Sequence, residues 1–451
     1  MASNSKDSRP KPTRAAHARH TGTRSDVPRK RTSAPGSGVS RRAVVALGGA
    51  VVVAGGVAVA RGVLGASGGK GRARSAGEKD GGSGGSSASG DGGSKAAASA
   101  TGKKAVAKKV ASLTLEQKVA QMFFPRPEAL TGMGQVTAAG DTTRKAFAKI
   151  PVGGMCYFAQ NLQSEAQARQ MLSAANQISL DEGGLPLFMS VDEEGGTVSR
   201  VGGNKGFSVA NVGNMRDVGD MGDARHAYDV CKKIADYLVP LGFNLDFAPD
   251  ADIVNGRSQT MAKRSFGTTA DVVAPMVESA VKGFLDGSIM CCAKHFPGIG
   301  GAQGDSETEA ITTDKTLDQL RQEELVPFER AIAAGVPMVM VGHISCPKVT
   351  GDSAPASLSR AIVTDVLRNE LGFDGIIITD SLGMGAVAGL HSAKDLGVAA
   401  IQAGADMLLM TPELEASYQG VLDAVKAGTI TEERIDESVT RIVRAKLALR
   451  G

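Results

Sequence analysis

Gly375-Ile376-Ile377-Ile378-Thr379-Asp380 is an apolar run of strand length that ends on a carboxylate. The same pattern recurs along the chain. Residues 187–191 lead into Asp192 and Glu194, 244–248 into Asp250 and Asp252, 290–293 into Lys294 and His295, and 337–341 into His343. Two further apolar runs lie at 154–158 and 405–410. Segments with helical periodicity separate them, at 164–180, 224–238, 271–285, 316–334 and 359–371. A last helix is expected over 431–449, with Thr431 as its cap and Glu433 close behind.

Strands alternating with helices imply a parallel sheet, and runs that are apolar on both faces agree with one. Closed barrels and open doubly wound sheets share this order, and the polar residues separate them. In a barrel every strand's C-terminal end opens onto one mouth. In an open sheet only the strands beside the switch point bring their ends together. Five strand ends carrying ionisable groups therefore predict an α/β chain of the (β/α)8 TIM-barrel type. Neither a G-x-G-x-x-G opening a helix after a strand nor a G-x-x-x-x-G-K-[ST] is present, so nucleotide binding has no support.

The rest of the chain sets the context. Of 451 residues, 42% are hydrophobic, enough for a sizeable core. The net charge of +4 comes mostly from the first 42 residues, so the remainder is near neutral and points to no nucleic-acid partner. Residues 1–42 form a basic, disordered lead ending in Ser40-Arg41-Arg42. Residues 43–64 hold an uncharged Ala/Val/Gly stretch, 43–60, followed by Arg61. Three readings fit it: an export signal of the twin-arginine type, an uncleaved membrane anchor, or a basic tail before a core helix. The first two place the rest of the protein outside the cytoplasm, with membrane contact only through this segment. Residues 65–104 are rich in Gly, Ser and Ala and read as a flexible linker. The folded unit is expected over 105–451, a length suited to one barrel.

Four segments carry a resemblance. Asp192-Glu193-Glu194-Gly195-Gly196-Thr197-Val198-Ser199-Arg200 looks like the D-x-E-G-G-x-V-x-R signature of glycoside hydrolase family 3. Arg264-Ser265-Phe266-Gly267, Lys294-His295-Phe296-Pro297-Gly298 and Thr379-Asp380-Ser381-Leu382-Gly383-Met384 resemble its other motifs, in order and spacing. The resemblance covers roughly residues 110–450 and points to the single-domain bacterial β-N-acetylhexosaminidase branch. It implies a monomeric retaining glycosidase that needs no cofactor. Its substrates would be oligosaccharides or muropeptides bearing terminal N-acetylglucosamine. A β-glucosidase-like enzyme and a non-catalytic glycan-binding barrel are the alternatives.

The resemblance makes Asp380 the nucleophile, where position alone also allows a helix N-cap. It makes Asp192, Arg200, Arg264, Lys294, His295 and Met384 substrate-binding. From the residues themselves, Arg200 equally fits an ion pair with Asp192 or Glu194. His295 equally fits a packed, hydrogen-bonded imidazole. His343 can line the mouth or pack. Asp246 and Asp250 are expected to brace Lys294 or Arg264, and Gly195 and Gly196 to let backbone approach the sugar.

One departure concerns the proton donor. Where the family branch has D-S-H, this chain has Asp305-Ser306-Glu307, and the family's further histidine is Ile299. Glu307 is read as the acid/base, with Asp305 raising its pKa by like charge. Loss of the acid, or of turnover altogether, are the other two readings. The five cysteines show no C-x-x-C and lie mostly in apolar runs, which predicts buried thiols. No spacing for a metal site appears.

Overall fold

The computed structural model describes residues 102–449, except 256, 257, 259, 303 and 388. The expected lead (1–42), signal or anchor segment (43–64) and nearly all of the linker lie outside the described residues. No helix among the described residues is long and apolar enough to cross a membrane. A helix over 102–111 takes up the end of the expected linker. Val106 and Val110, one turn apart on this helix, are buried and fasten it to the core, and Leu113 is buried just beyond its end.

Ten strands follow: β1 (Phe123–Phe124), β2 (Gly154–Cys156), β3 (Phe188–Val191), β4 (Leu245–Asp246), β5 (Met290–Phe296), β6 (Ile311–Thr312), β7 (Met338–Val341), β8 (Ile344–Ser345), β9 (Ile376–Thr379) and β10 (Leu408–Leu409). Strands β2-β3-β4-β5-β7-β9 make one six-stranded sheet, parallel throughout. Strands β1 and β10 form a separate parallel pair. Backbone hydrogen bonds link that pair to both edges of the large sheet. Gly153 N donates to Phe123 O (3.1 Å) and Cys156 N to Pro125 O (3.0 Å) on one side, and Thr379 N donates to Met407 O (3.1 Å) on the other. The small β6–β8 pair anchors the chain just after Glu307.

Each apolar run picked from the sequence contains a strand. The sequence gives no sign of β1, because its two phenylalanines follow the helix Leu115–Gln121 so closely that no strand-length run stands out. Strand β5 runs further than its apolar core and includes Lys294 and His295. The helix expected over 316–334 is two, Leu317–Gln322 and Val326–Ala333. Pro327 explains the break: it has no N–H to donate and sits in the first turn of the second helix, where none is needed. The last helix is Glu432–Ala448, and Thr431 caps it by accepting from Arg434 N at 3.2 Å. All five cysteines are buried thiols outside any disulfide, as expected.

Candidate active site

Strands β3, β4, β5, β7 and β9 are consecutive in the large sheet and parallel, so their C-terminal ends lie side by side. Asp192 and Glu194 follow β3, Asp250 and Asp252 follow β4, His343 follows β7 and Asp380 follows β9. All of these side chains are buried, along with Lys294 and His295. Buried charges persist only when paired, and here the pairing is extensive.

Lys294 is fully buried, with Nζ 2.5 Å from Asp192 Oδ1 and 2.6 Å from Glu194 Oε1. Burial works against its ammonium, but Asp192, Glu194 and Asp250 outweigh that and hold its pKa above the usual lysine value. Arg264 grips Glu194 with two parallel hydrogen bonds, Nε to Oε2 (2.7 Å) and Nη2 to Oε1 (2.8 Å). Its Nε also lies 3.2 Å from Asp250 Oδ2. Burial favours the neutral form of Glu194, yet Arg264 and Lys294 together hold it below the usual range. Asp192 is less well compensated. Burial pushes it up to about 6, against the pull of Lys294, and its Oδ2 is buried without a hydrogen-bond partner.

This network predicts a large stability effect. Lys294→Met should leave Asp192 and Glu194 with too little compensation and lower stability by roughly 3–5 kcal/mol, the range for breaking a buried pair. A urea-unfolding midpoint equal to that of the parent would overturn this account.

His295 and Lys294 are joined by a cis peptide bond. The imidazole Nδ1 lies 2.8 Å from Asp252 Oδ2, and the His295 amide donates to the same oxygen at 3.1 Å. Asp252 Oδ1 accepts from Ile299 N at 2.6 Å, so one carboxylate fixes both ends of the His295–Ile299 turn. Burial lowers the His295 pKa, but Asp252 reverses that and raises it overall. His343 Nε2 faces the carbonyl of Ser381 at 2.9 Å and must donate to it. Its Nδ1 then takes the hydroxyl proton of Ser357 at 2.7 Å. Burial lowers the His343 pKa, in keeping with a neutral ring in that tautomer.

Asp380 sits above these groups. Its amide donates to Val341 O at 2.8 Å, and its Oδ1 accepts from Ser381 N at 2.7 Å. Burial pushes its carboxyl up, but His295, His343, the Ser381 amide and Lys294 prevail and hold it below the usual carboxylate value. Across the mouth, Glu307 is exposed. Its pKa rises to about 7, first from partial loss of water and then from the negative charges of Asp305 and Asp380. Asp305 Oδ1 accepts from Glu307 N at 3.0 Å and Asp305 Oδ2 from Thr260 Oγ1 at 3.3 Å, so Asp305 also shapes the turn that carries Glu307. Two backbone hydrogen bonds tie this turn to the segment beyond Asp380: Gly385 N to Glu307 O (2.9 Å) and Ala386 N to Ser306 O (3.2 Å). A side chain at Gly385 would meet Thr308 O at 2.5 Å, so glycine allows the two loops to close together.

A sequence profile of the glycosyl hydrolase family 3 N-terminal domain matches residues 114–445. The chain belongs to glycosyl hydrolase family 3. It is 32% identical over 329 residues to beta-hexosaminidase A of Pseudoalteromonas piscicida, covering 67% of this chain and 54% of that relative. Against beta-hexosaminidase LpqI of Mycobacterium tuberculosis the identity is 35% over 276 residues, 58% of this chain and 69% of the relative. Among solved structures, a family 3 beta-N-acetylglucosaminidase from Paenibacillus sp. strain FPU-7 superposes with a TM-score of 0.70 at 36% identity, over 75% of this chain and 64% of that one.

Most of the family 3 site residues expected from sequence come together, but several stand in unexpected relations. Glu194 is taken by Arg264 and Lys294 instead of Arg200. Arg200 donates its amide to Glu193 Oε2 at 2.6 Å, and its charge is felt at Asp192. Asp250 does brace Arg264. Asp246 does not brace a cation: its Oδ1 accepts the Glu193 amide at 3.3 Å, its Oδ2 has no partner, and burial drives its pKa well up. The room at Gly195 and Gly196 is filled by residues 212–215. A Cβ on Gly196, at φ 56°, would meet Asn214 Oδ1 at 2.3 Å. Met384 lies in the turn after Asp380, its amide bonded to Ser381 O.

Glu193 carries a role that the sequence does not reveal. Its carboxylate accepts from Ser199 Oγ (2.5 Å), Gly202 N (2.8 Å), Tyr237 Oη (2.8 Å), Arg200 N (2.6 Å) and Val201 N (2.9 Å). It thereby fixes the loop that bears Arg200. Asp252 likewise stood in the sequence only as one more strand-end acid. Asp250, Asp252 and His295 bring three possible metal-ligand atoms within 4.8 Å of one another. Asp252 and His295 already satisfy each other there, and Arg264 lies against Asp250, so a dication is disfavoured.

Proposed function

We propose that this chain is a retaining β-N-acetylhexosaminidase that releases terminal N-acetylglucosamine from oligosaccharides or peptidoglycan fragments. The observation that carries the reading is the opposite displacement of two carboxyls at one mouth, Asp380 below its usual value and Glu307 up to about 7. Retaining glycosidases need one ionised carboxylate and one protonated acid near neutral pH.

In the first step Asp380 attacks the anomeric carbon as the bond to the leaving oxygen breaks, and Glu307 gives that oxygen its proton. In the second, Glu307 takes a proton from water, and the water oxygen displaces Asp380 from the sugar. Asp192 Oδ2 is the acceptor for a sugar hydroxyl, and contacts of this kind strengthen as the ring moves toward an oxocarbenium-like state. Lys294 and Arg264 hold Asp192, Glu194 and Asp250 in place.

The scaffold in this reading is a closed (β/α)8 barrel. The hydrogen bonds that run from β1 to β2 and from β9 to β10 support closure. Fast hydrogen exchange at the Cys156 and Thr379 amides, which make the junction bonds, would sink that part.

The names of the relatives point to N-acetylated sugars, and the sugar is the part most easily tested. Aryl N-acetyl-β-glucosaminide should be turned over with a kcat/KM at least about tenfold above aryl β-glucoside, since a site that hydrogen-bonds a substituent rejects its absence. A preference for the glucoside would favour the β-glucosidase reading, and saturable binding with no turnover of either would favour a glycan-binding barrel.

A further inference from the structure

A second site lies at the other end of the sheet. Asp406 precedes β10 and its Oδ2 accepts from Ile377 N (2.9 Å), three residues before Asp380 on β9. Next to it is a cavity of about 650 Å³ lined by Arg360, Arg368, Arg434 and Arg441, with Glu437 as the one lining acid among the described residues. The helices Ala361–Glu370 and Glu432–Ala448 supply three of the four arginines, and Arg360 caps the first of these helices.

The local charges do not balance. Three guanidinium groups converge on the single buried carboxylate of Asp406: Arg368 Nη2 at 2.6 Å, Arg441 Nη1 at 3.2 Å and Arg434 Nη1 at 3.9 Å. Burial lowers the pKa of both Arg368 and Arg434, and the charge of Arg441 lowers each of them further. Arg441 Nε is buried without a hydrogen bond, and its ion pair to Asp374 Oδ1 is 3.6 Å long. Arg368 also donates to the Phe373 and Gly375 carbonyls, and Arg434 to Ala405 O and Ser438 Oγ, so part of each fork serves the fold; Arg360 and Arg441 bring further cations to the cavity.

We propose that this cavity is an anion site for a phosphate dianion, either free phosphate or the terminal phosphoryl group of a phosphomonoester. Guanidinium forks pair bidentately with phosphate oxygens, and several forks arriving from different directions suit a tetrahedral group better than a planar carboxylate. A dianion offsets the excess charge that Asp406 and Glu437 leave. The site lies away from the strand ends that carry the catalytic groups, at the end of the strands where barrels ordinarily hold only structural contacts.

The test uses the full chain. A ligand bound only by the folded state raises the melting temperature in a saturable way. Inorganic phosphate and a sugar 6-phosphate should each do so beyond chloride at equal ionic strength, and a dialkyl phosphodiester should bind at least tenfold more weakly. Arg441→Gln should raise the phosphate Kd at least tenfold. Arg360→Gln, at an exposed position outside the Asp406 contacts, should raise it severalfold without loss of fold. Arg444→Gln, outside the cavity, should leave the Kd unchanged. Glycosidase activity in phosphate-free buffer should stay at the parent level in Arg360→Gln. The proposal fails if phosphate gives no shift beyond chloride, if the diester binds as tightly as the monoester, or if Arg360→Gln and Arg444→Gln behave alike.

Discussion

Asp380→Asn should lower kcat on an aryl N-acetyl-β-glucosaminide by at least about 10³-fold, the scale seen when one member of a catalytic unit is removed. The amide is close to isosteric, and the Ser381 amide can still donate to its carbonyl oxygen. Sugar binding should therefore survive, and KM or a binding constant should move by less than about tenfold. The charge of Asp380 also acts on its neighbours, since it raises the His295 and Glu307 pKa values. Removing it should shift the titration of Glu307 downward. Near-parent turnover by Asp380→Asn would refute the nucleophile assignment, because among the described residues no other carboxyl directly following β9 is held ionised.

Glu307→Gln should separate substrates by leaving group. With an alkyl or oligosaccharide leaving group the loss should be roughly 10²–10⁴-fold, the usual worth of a general acid. With a dinitrophenolate, which departs without a proton, the first step should be nearly unchanged and glycosyl-enzyme should accumulate. The pH profile gives a second readout. In the proposed mechanism the acid is protonated Glu307, so kcat/KM should fall as pH rises through about 7. That mechanism also needs Asp380 ionised, and protonation of Asp380 itself should cost activity only below the ordinary carboxylate range, because its pKa is held down, whereas protonation of Asp192 near 6 should show in substrate binding. In Glu307→Gln the alkaline limb should disappear. Equal losses on both leaving groups, or an unchanged alkaline limb, would remove Glu307 from the role. The expected histidine would then have no replacement at this loop.

Aligned strands, parallel order and the ionisable groups at strand ends were legible because each depends on local pattern. An apolar run such as 375–379 buries both faces of a strand, and the carboxylate after it must lie where the strand stops. The cap at Thr431 and the buried cysteines are local in the same sense. Two features failed for equally physical reasons. Strand β1 is too short to stand out from the preceding helix, and Pro327 divides a segment whose apolar spacing continues through it.

Chain order is enough to put Asp192, Glu194, Asp250, Asp252, Lys294, His295, His343 and Asp380 at strand ends. Their pairing comes from the fold. Arg264, 70 residues from Glu194 in the chain, captures the carboxylate that the motif alone left open to Arg200. Glu193 turns inward to collect donors from two segments, and Asp252 fixes His295 across 43 residues. Burial then sets the protonation states, pushing Asp192 and Asp250 up while opposite charges hold Glu194 and Asp380 down. Desolvation and charge pairing are sums over neighbours that are distant in sequence. For that reason the chain order shows where the carboxyls stand, and the fold alone decides which of them is held ionised.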